Sequence, residues 1–170
     1  MTAFRRFAVG VLALAGLAGF ASAQTAYQNV ALTTFRVAKG VDFPADYQKA
    51  LIDSLVQQFT DSKKFTKVAR PGAATPAGRT LKVTGVVTHI EKGNQPERQV
   101  AGVFGAGKAT VTAHVKLIDA ASGRVKLESD VTSSYEGSIA FTGDKAFGGK
   151  PINVARSLAK DIVKMAVDKL

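Results

Sequence analysis

Residues 102–108 read Gly-Val-Phe-Gly-Ala-Gly-Lys, the first seven positions of a phosphate-binding loop of the form G-x-x-x-x-G-K. In that chemistry backbone amides and the lysine hold the phosphates, and the next residue supplies a hydroxyl to Mg²⁺. Here the next residue is Ala109, which has no hydroxyl. Such a loop must also open a helix whose N-terminal amides face the phosphates. Residues 109–118 (ATVTAHVKLI) alternate as a strand does instead. Asp119, the nearest partner acid, stands at the end of that strand. The run reads as a glycine-rich connection between strands, not a nucleotide site.

Other constellations are sparser. His89 and His114 offer half of a four-coordinate zinc shell, and no cysteine exists to complete it. His89 shares parity with Val83 and Val87, and His114 with Thr112 and Lys116, so the two rings are expected on different faces. None of Ser129, Ser133, Ser134, Ser138 or Ser157 sits in a G-x-S-x-G elbow. Glu91, Glu97, Asp119, Glu128, Asp130, Glu136 and Asp144 fall at turns or outward strand positions, and their spacing selects no pair. No catalytic residue, no metal ligand and no cofactor is assigned, and the chain is not expected to be an enzyme. An unrecognised hydrolase would need a deep pocket holding paired acids or a Ser–His contact.

Positive charge is the stronger signal. The chain carries a formal +10, and subtracting Arg5 and Arg6 of the N-terminal segment leaves +8. Such an excess favours anionic partners at long range and says nothing about fold. Arg156, Lys160 and Lys164 recur every four residues, which puts them on one face of a helix. Lys116, Arg124 and Lys126 bracket the turn at residues 119–123. Two candidate surfaces follow: a basic face at Arg156, Lys160 and Lys164, and a loop comprising Arg98, Gly102, Phe104, Gly105, Gly107 and Lys108. In that loop the glycines allow turns that a side chain would forbid. Arg98 is placed to tie the loop carbonyls or to meet an anion.

Where the chain works is read from its start. Arg5 and Arg6 precede an apolar stretch from Phe7 to Phe20, and Ala21-Ser22-Ala23 offers the small residues a signal peptidase needs. Residues 1–23 are expected to be a signal peptide cleaved after Ala23, leaving a periplasmic domain, residues 24–170, with no transmembrane segment. Residues Phe7–Phe20 are short of the roughly 20 apolar residues of a membrane-spanning helix. Without cysteines the exported domain must be stable through packing alone. The expected partners are an envelope protein or an anionic lipid or glycan, with no nucleic acid.

The elements that position these groups are legible from periodicity. Residues 28–38 (QNVALTTFRVA) read as a strand, broken at Lys39-Gly40. Asp42-Phe43-Pro44 opens a helix whose apolar face runs Tyr47, Leu51, Leu55 and Phe59, with Ile52 and Val56 beside it. Residues 64–69 form a second strand, so strand, helix and strand compose a crossover unit. After a loop at 71–78, strands are predicted at 80–91, 109–118 and 124–135, the last with Val125, Leu127 and Val131 on one face. Asp119–Gly123 (DAASG) is a hairpin turn. A glycine-rich loop at 137–149 leads to Pro151, which opens a last helix with Val154, Ala155, Leu158, Ile162, Met165 and Ala166 inside. The fold class is α+β: two layers, a mixed and mainly antiparallel sheet of about five strands (β-α-β-β-β-β-α), with two helices on one face.

The stretch from Leu81 to Leu127 resembles domain of unknown function 4410, a family of bacterial envelope proteins. The residues that carry the resemblance are Leu81-x-Val83-x-Gly85, Gly93-Asn94, Arg98, Gly102, Phe104-Gly105-Ala106-Gly107-Lys108-Ala109, and Leu117-x-Asp119 with Ser122-Gly123. The resemblance implies an exported α+β domain with no established reaction, often lipid-anchored. This chain has no cysteine to bear the lipid, which implies a form free in the periplasm.

Overall fold

The computed structural model describes residues 26–91, 109–135 and 152–170. The signal-peptide reading of residues 1–23, the loop at 137–149 and the glycine-rich loop residues Arg98, Gly102, Phe104, Gly105, Gly107 and Lys108 lie outside them.

Six strands and two helices are described: β1 (Asn29–Leu32), β2 (Arg36–Val37), α1 (Ala45–Asp61), β3 (Lys67–Ala69), β4 (Thr80–Glu91), β5 (Ala109–Asp119), β6 (Val125–Tyr135) and α2 (Ile152–Lys169). The sheet runs β3-β1-β4-β5-β6, with β2 also paired to β4. β1 is parallel to β3 and to β4, so β1-α1-β3 is the expected crossover unit. The two longest ladders, β4–β5 and β5–β6, are antiparallel. Both helices pack on the same face, where they also touch each other. The α+β class expected from the sequence is the observed one.

The expected first strand is two strands, and the reason is one side chain. Leu32 pairs with Val83 and Arg36 with Val86, so Thr33, Thr34 and Phe35 span the two residues Thr84 and Gly85 of β4. The extra residue turns Phe35 into the core, where it is 2% exposed. Its ring occupies the space a side chain at Gly85 would need. Hydrogen bonds from the Thr33 amide to the Val83 carbonyl and from the Ala38 amide to the Val87 carbonyl pin the chain on either side.

α1 buries Tyr47, Leu51, Leu55 and Phe59, the face its periodicity predicts. Its N-cap is Pro44, so the proline sits one position before the expected first turn and supplies no side-chain cap. α2 buries Val154, Ala155, Leu158, Ala159, Ile162, Val163 and Ala166, with Met165 only half-buried at the edge of that face. From the sheet, Val30, Leu81, Val83, Val87, Val111, Val115 and Leu117 complete one contiguous core.

The hairpin turn is held by Asp119. Its Oδ1 accepts from the Ser122 amide (2.8 Å), the Ser122 hydroxyl (2.9 Å) and the Ala121 amide (3.2 Å). Gly123 closes the turn with φ +69°, a left-handed conformation that glycine adopts without strain. On the other side, the hydroxyl of Tyr27 donates to Asp119 Oδ2 at 3.1 Å. The Arg79 guanidinium stands 4.8 Å above the Tyr27 ring. Burial, and then the Asp119 bond, push the Tyr27 phenol above its ordinary value, so it remains a donor.

The Ser122 amide and hydroxyl, followed by the Tyr27 and Ala121 donors, hold the Asp119 carboxyl down to about 2. A depressed acid stabilises the fold above its unfolded value, about 3.9, and that contribution is lost as pH falls through the folded value. Asp119→Ala is therefore expected to lower the melting temperature by several degrees at neutral pH. The gap from the parent protein should close between about pH 4 and pH 2. A gap that stays constant on acidification would remove Asp119 from the turn's stability.

Candidate functional site

The candidate basic face lies on α2. Arg156, Lys160 and Lys164 are all exposed on the side of α2 that faces away from the sheet. Arg156 Nη1 donates to Asn153 Oδ1 at 3.3 Å. Among the described residues, no ion pair joins any of the three to a carboxylate.

Lys64 Nζ, just beyond α1, donates to the Val167 carbonyl near the end of α2. Arg156, near the start of α2, lines a groove with Asp46, Lys49, Asp53 and Gln57 of α1. The helices thus run side by side in the same direction. The groove has a volume of about 530 Å³. Its acid Asp53 is already taken, 2.6 Å from both Lys49 and Arg70. Those two bonds, Lys49 first, hold the Asp53 carboxyl below its ordinary value. Asp46 is the second acid of the groove, and among the described residues no histidine lines it.

The opposite face of the sheet holds a network that residue types alone did not signal. His114 Nδ1 lies 2.7 Å from Asp130 Oδ1 and its Nε2 2.7 Å from Glu128 Oε1. Lys116 Nζ meets the same Glu128 at 2.8 Å. Facing two ionised carboxylates, the ring can donate from both nitrogens only as the imidazolium. The Asp130 bond, then the Glu128 bond, raise the His114 value above that of a free imidazole. Lys116, then His114, hold Glu128 below that of a free carboxyl. Alternation in β5 and β6 was visible, but the pairing of His114 with Asp130 depends on the register between the two strands. Along that row the sheet presents Arg36 of β2, Val86 of β4, His114 and Asp130.

His89 corrects the parity reading. The β4–β5 ladder slips between Val87 and His89, and beyond the bulge His89 faces Thr112. This turns His89 to the outer face that His114 occupies, against the expectation of opposite faces. Both nitrogens of His114 are engaged by carboxylates. Among the described residues no group of three or more His, Cys, Asp or Glu side chains is arranged to hold a metal ion. A second slip, between Leu117 and Ile118, does the same to β6. Val125 pairs with Ile118 and stands 48% exposed, on the other side from Leu127 and Val131.

The carboxylate grip on His114 has a pH signature. A raised histidine stabilises the fold below its unfolded value, about 6.5, and the contribution is lost as pH rises through the higher folded value. The parent protein is expected to lose melting temperature on going from about pH 6 to pH 9. His114→Gln should lose less over the same interval. Equal slopes for the two proteins would show that the imidazolium does not join β5 to β6.

Ser133, buried on the inner face of β6, donates to Asp161 of α2 and fastens the helix to the edge strand. Ser129, Ser134 and Ser157 have no histidine partner among the described residues. No helix among the described residues is long and apolar enough to cross a membrane.

No curated protein matches the sequence. In fold the chain is similar to the hypothetical protein CT253 from Chlamydia trachomatis, with TM-score 0.53 and 12% identity over 84% of this chain and 97% of that one. Weaker likenesses include protein XCC0632 from Xanthomonas campestris, with TM-score 0.49 and 20% identity over 85% and 82% of the two chains. Another is lipoprotein GNA1162 from Neisseria meningitidis, with TM-score 0.45 and 12% identity over 83% and 99%. Residues 38–136, more than half of the sequence, match the model of one family, and that span includes Gly85 beneath Phe35 and the Asp119 turn: the chain belongs to the domain of unknown function DUF4410.

Proposed function

We propose that this protein is an exported, non-catalytic accessory protein of the bacterial cell envelope that binds another envelope component through the outer face of α2. The observation behind this reading is the ridge of Arg156, Lys160 and Lys164, exposed and unmatched by any described carboxylate. Lys49, Arg70 and Lys116 are ion-paired to carboxylates, whereas among the described residues Arg156, Lys160 and Lys164 are not and align on one exposed helix face. Such an alignment sums into a local positive field that attracts negative charge from outside the chain. An N-terminal segment that reads as a signal peptide supports an encounter in the periplasm, and the formal +8 of the remaining chain supports an anionic surface there, whether acidic protein, lipid or glycan. The partner we favour is a protein with an acidic surface.

A photo-reactive residue at Lys160, and separately at Phe104 of the glycine-rich loop, tests this in living cells. A discrete protein adduct at Lys160 that weakens with added salt supports the proposal, since exposed charge contacts are screened within about 8 Å at physiological ionic strength. A lipid or glycan adduct at Lys160 would replace the protein partner with the anionic lipid or glycan reading. Adducts at Phe104 alone would move the binding surface to the loop. No adduct at either position would end the proposal.

A further inference from the structure

The two edges of the sheet are unlike each other. β3 is three residues long with Lys67 exposed, which is how natural sheets discourage edge pairing. β6 is eleven residues long and has no partner on its outer side among the described strands. From Leu127 to Tyr135 its ladder with β5 is unbroken, so alternate residues of a nine-residue stretch offer regularly spaced backbone donors and acceptors on the free side. The bulge that ejects Val125 ends this stretch at one side.

We infer that β6 is an interface, and that its occupant is β6 of a second copy of this chain, paired antiparallel about a two-fold axis through Val131. The side chains select that register. In a two-fold antiparallel pair, residues opposite each other point to the same face of the joined sheet, so the centre must fall on a residue. The outer face of β6 presents Glu128, Asp130, Thr132 and Ser134. Centring on Glu128, on Ser129 or on Asp130 sets acid against acid, and like charges directly opposite are destabilising.

Centring on Val131 sets Asp130 against the partner's Thr132 and Glu128 against the partner's Ser134, each acid facing a hydroxyl donor. It is also the midpoint of the regular stretch, so all nine residues pair. On the inner face Val131 meets the partner's Val131, Ser129 meets the partner's Ser133, and the half-buried Leu127 meets the partner's Tyr135. Leu127 and Tyr135 already lean on the core and would be covered further. The acids on the edge thus act as register keys: they forbid the alignments centred on Glu128, Ser129 and Asp130, and of the rest the one centred on Val131 pairs the whole regular stretch. This surface is separate from the ridge on α2, so the two proposals stand or fall apart.

Thr132 is exposed and makes one side-chain bond, to Thr112 at 2.9 Å, so it can be changed without entering the core. The mass of the processed protein, measured by sedimentation across a wide concentration range, should show a monomer–dimer equilibrium. Thr132→Asp creates two acid–acid oppositions per dimer and is expected to weaken association roughly tenfold. Thr132→Lys places a cation against each Asp130 and should strengthen it by a similar factor. Because the two variants disturb the Thr112 bond alike, opposite signs isolate the register from any effect on folding, which circular dichroism would check. The chain has no native cysteine, so Asp130→Cys combined with Thr132→Cys should give an oxidised covalent dimer. A monomer at every concentration, a dimer indifferent to both Thr132 variants, or weakening by Thr132→Lys would each overturn the inference.

Discussion

Gly85→Ala is expected to destabilise the protein by about 1–3 kcal/mol, the range for forcing an atom into a packed core. An added Cβ would stand 2.4 Å from Cε1 and 2.7 Å from Cδ1 of Phe35, well inside contact distance. The ring cannot step aside cheaply. It is 2% exposed, and the Thr33 and Ala38 amides fix the backbone on both sides of it. Removing the ring in Phe35→Ala should cost about 3–5 kcal/mol through lost burial and the cavity left behind. Combined, the two changes should cost less than their sum by about 0.5–3 kcal/mol, because the alanine at 85 then enters space the ring has vacated. Urea unfolding of the four proteins measures this coupling. Strict additivity would mean that Gly85 is needed for something other than Phe35.

That pair also marks where sequence reasoning stops. α1 was legible because four apolar side chains recur at helical spacing and all four are buried. The interior of α2 was legible for the same reason. Alternation likewise located β4, β5 and β6, because each turns one face to the core and one outward. What alternation cannot register is an inserted residue. One extra residue at Thr33–Phe35 splits the first strand, one slip in β4 turns His89 outward, and another in β6 exposes Val125. Each lies beyond a point where a count of two loses its phase, and no composition signal marks the point in advance.

The candidate site residues divide along the same line. The ridge on α2 depends only on spacing within one helix, so it could be read directly. The His114–Glu128–Asp130–Lys116 network depends on which residues of β5 and β6 stand opposite, a property of two strands together. Tyr27 and Asp119 are still further apart in sequence, and their bond follows from β1 lying beside β4 and β4 beside β5.

Reversing the ridge, with Arg156→Glu, Lys160→Glu and Lys164→Glu together, is expected to reduce capture of the envelope partner at least roughly tenfold while leaving the fold intact. Successive members of the ridge are about 6 Å apart along the helix axis, less than the screening length of about 8 Å. They therefore act on an approaching anionic surface as one field. An exposed pair contributes only about 0.2–1 kcal/mol, so any single change would be hard to detect. The triple variant removes three attractions and adds three repulsions, and it lowers the formal charge without residues 1–23 from +8 to +2. The fold should tolerate this because all three side chains are exposed and the burial of Leu158, Ile162 and Ala166 is untouched. Crosslinking yield from a probe at Ser157, half-buried at the margin of the ridge, gives the readout, with melting temperature as control. Full crosslinking by the triple variant would show that the field of α2 recruits nothing. Loss in the triple variant, restored by Arg156→Lys combined with native Lys160 and Lys164, would show that charge and not the guanidinium shape is what the partner meets.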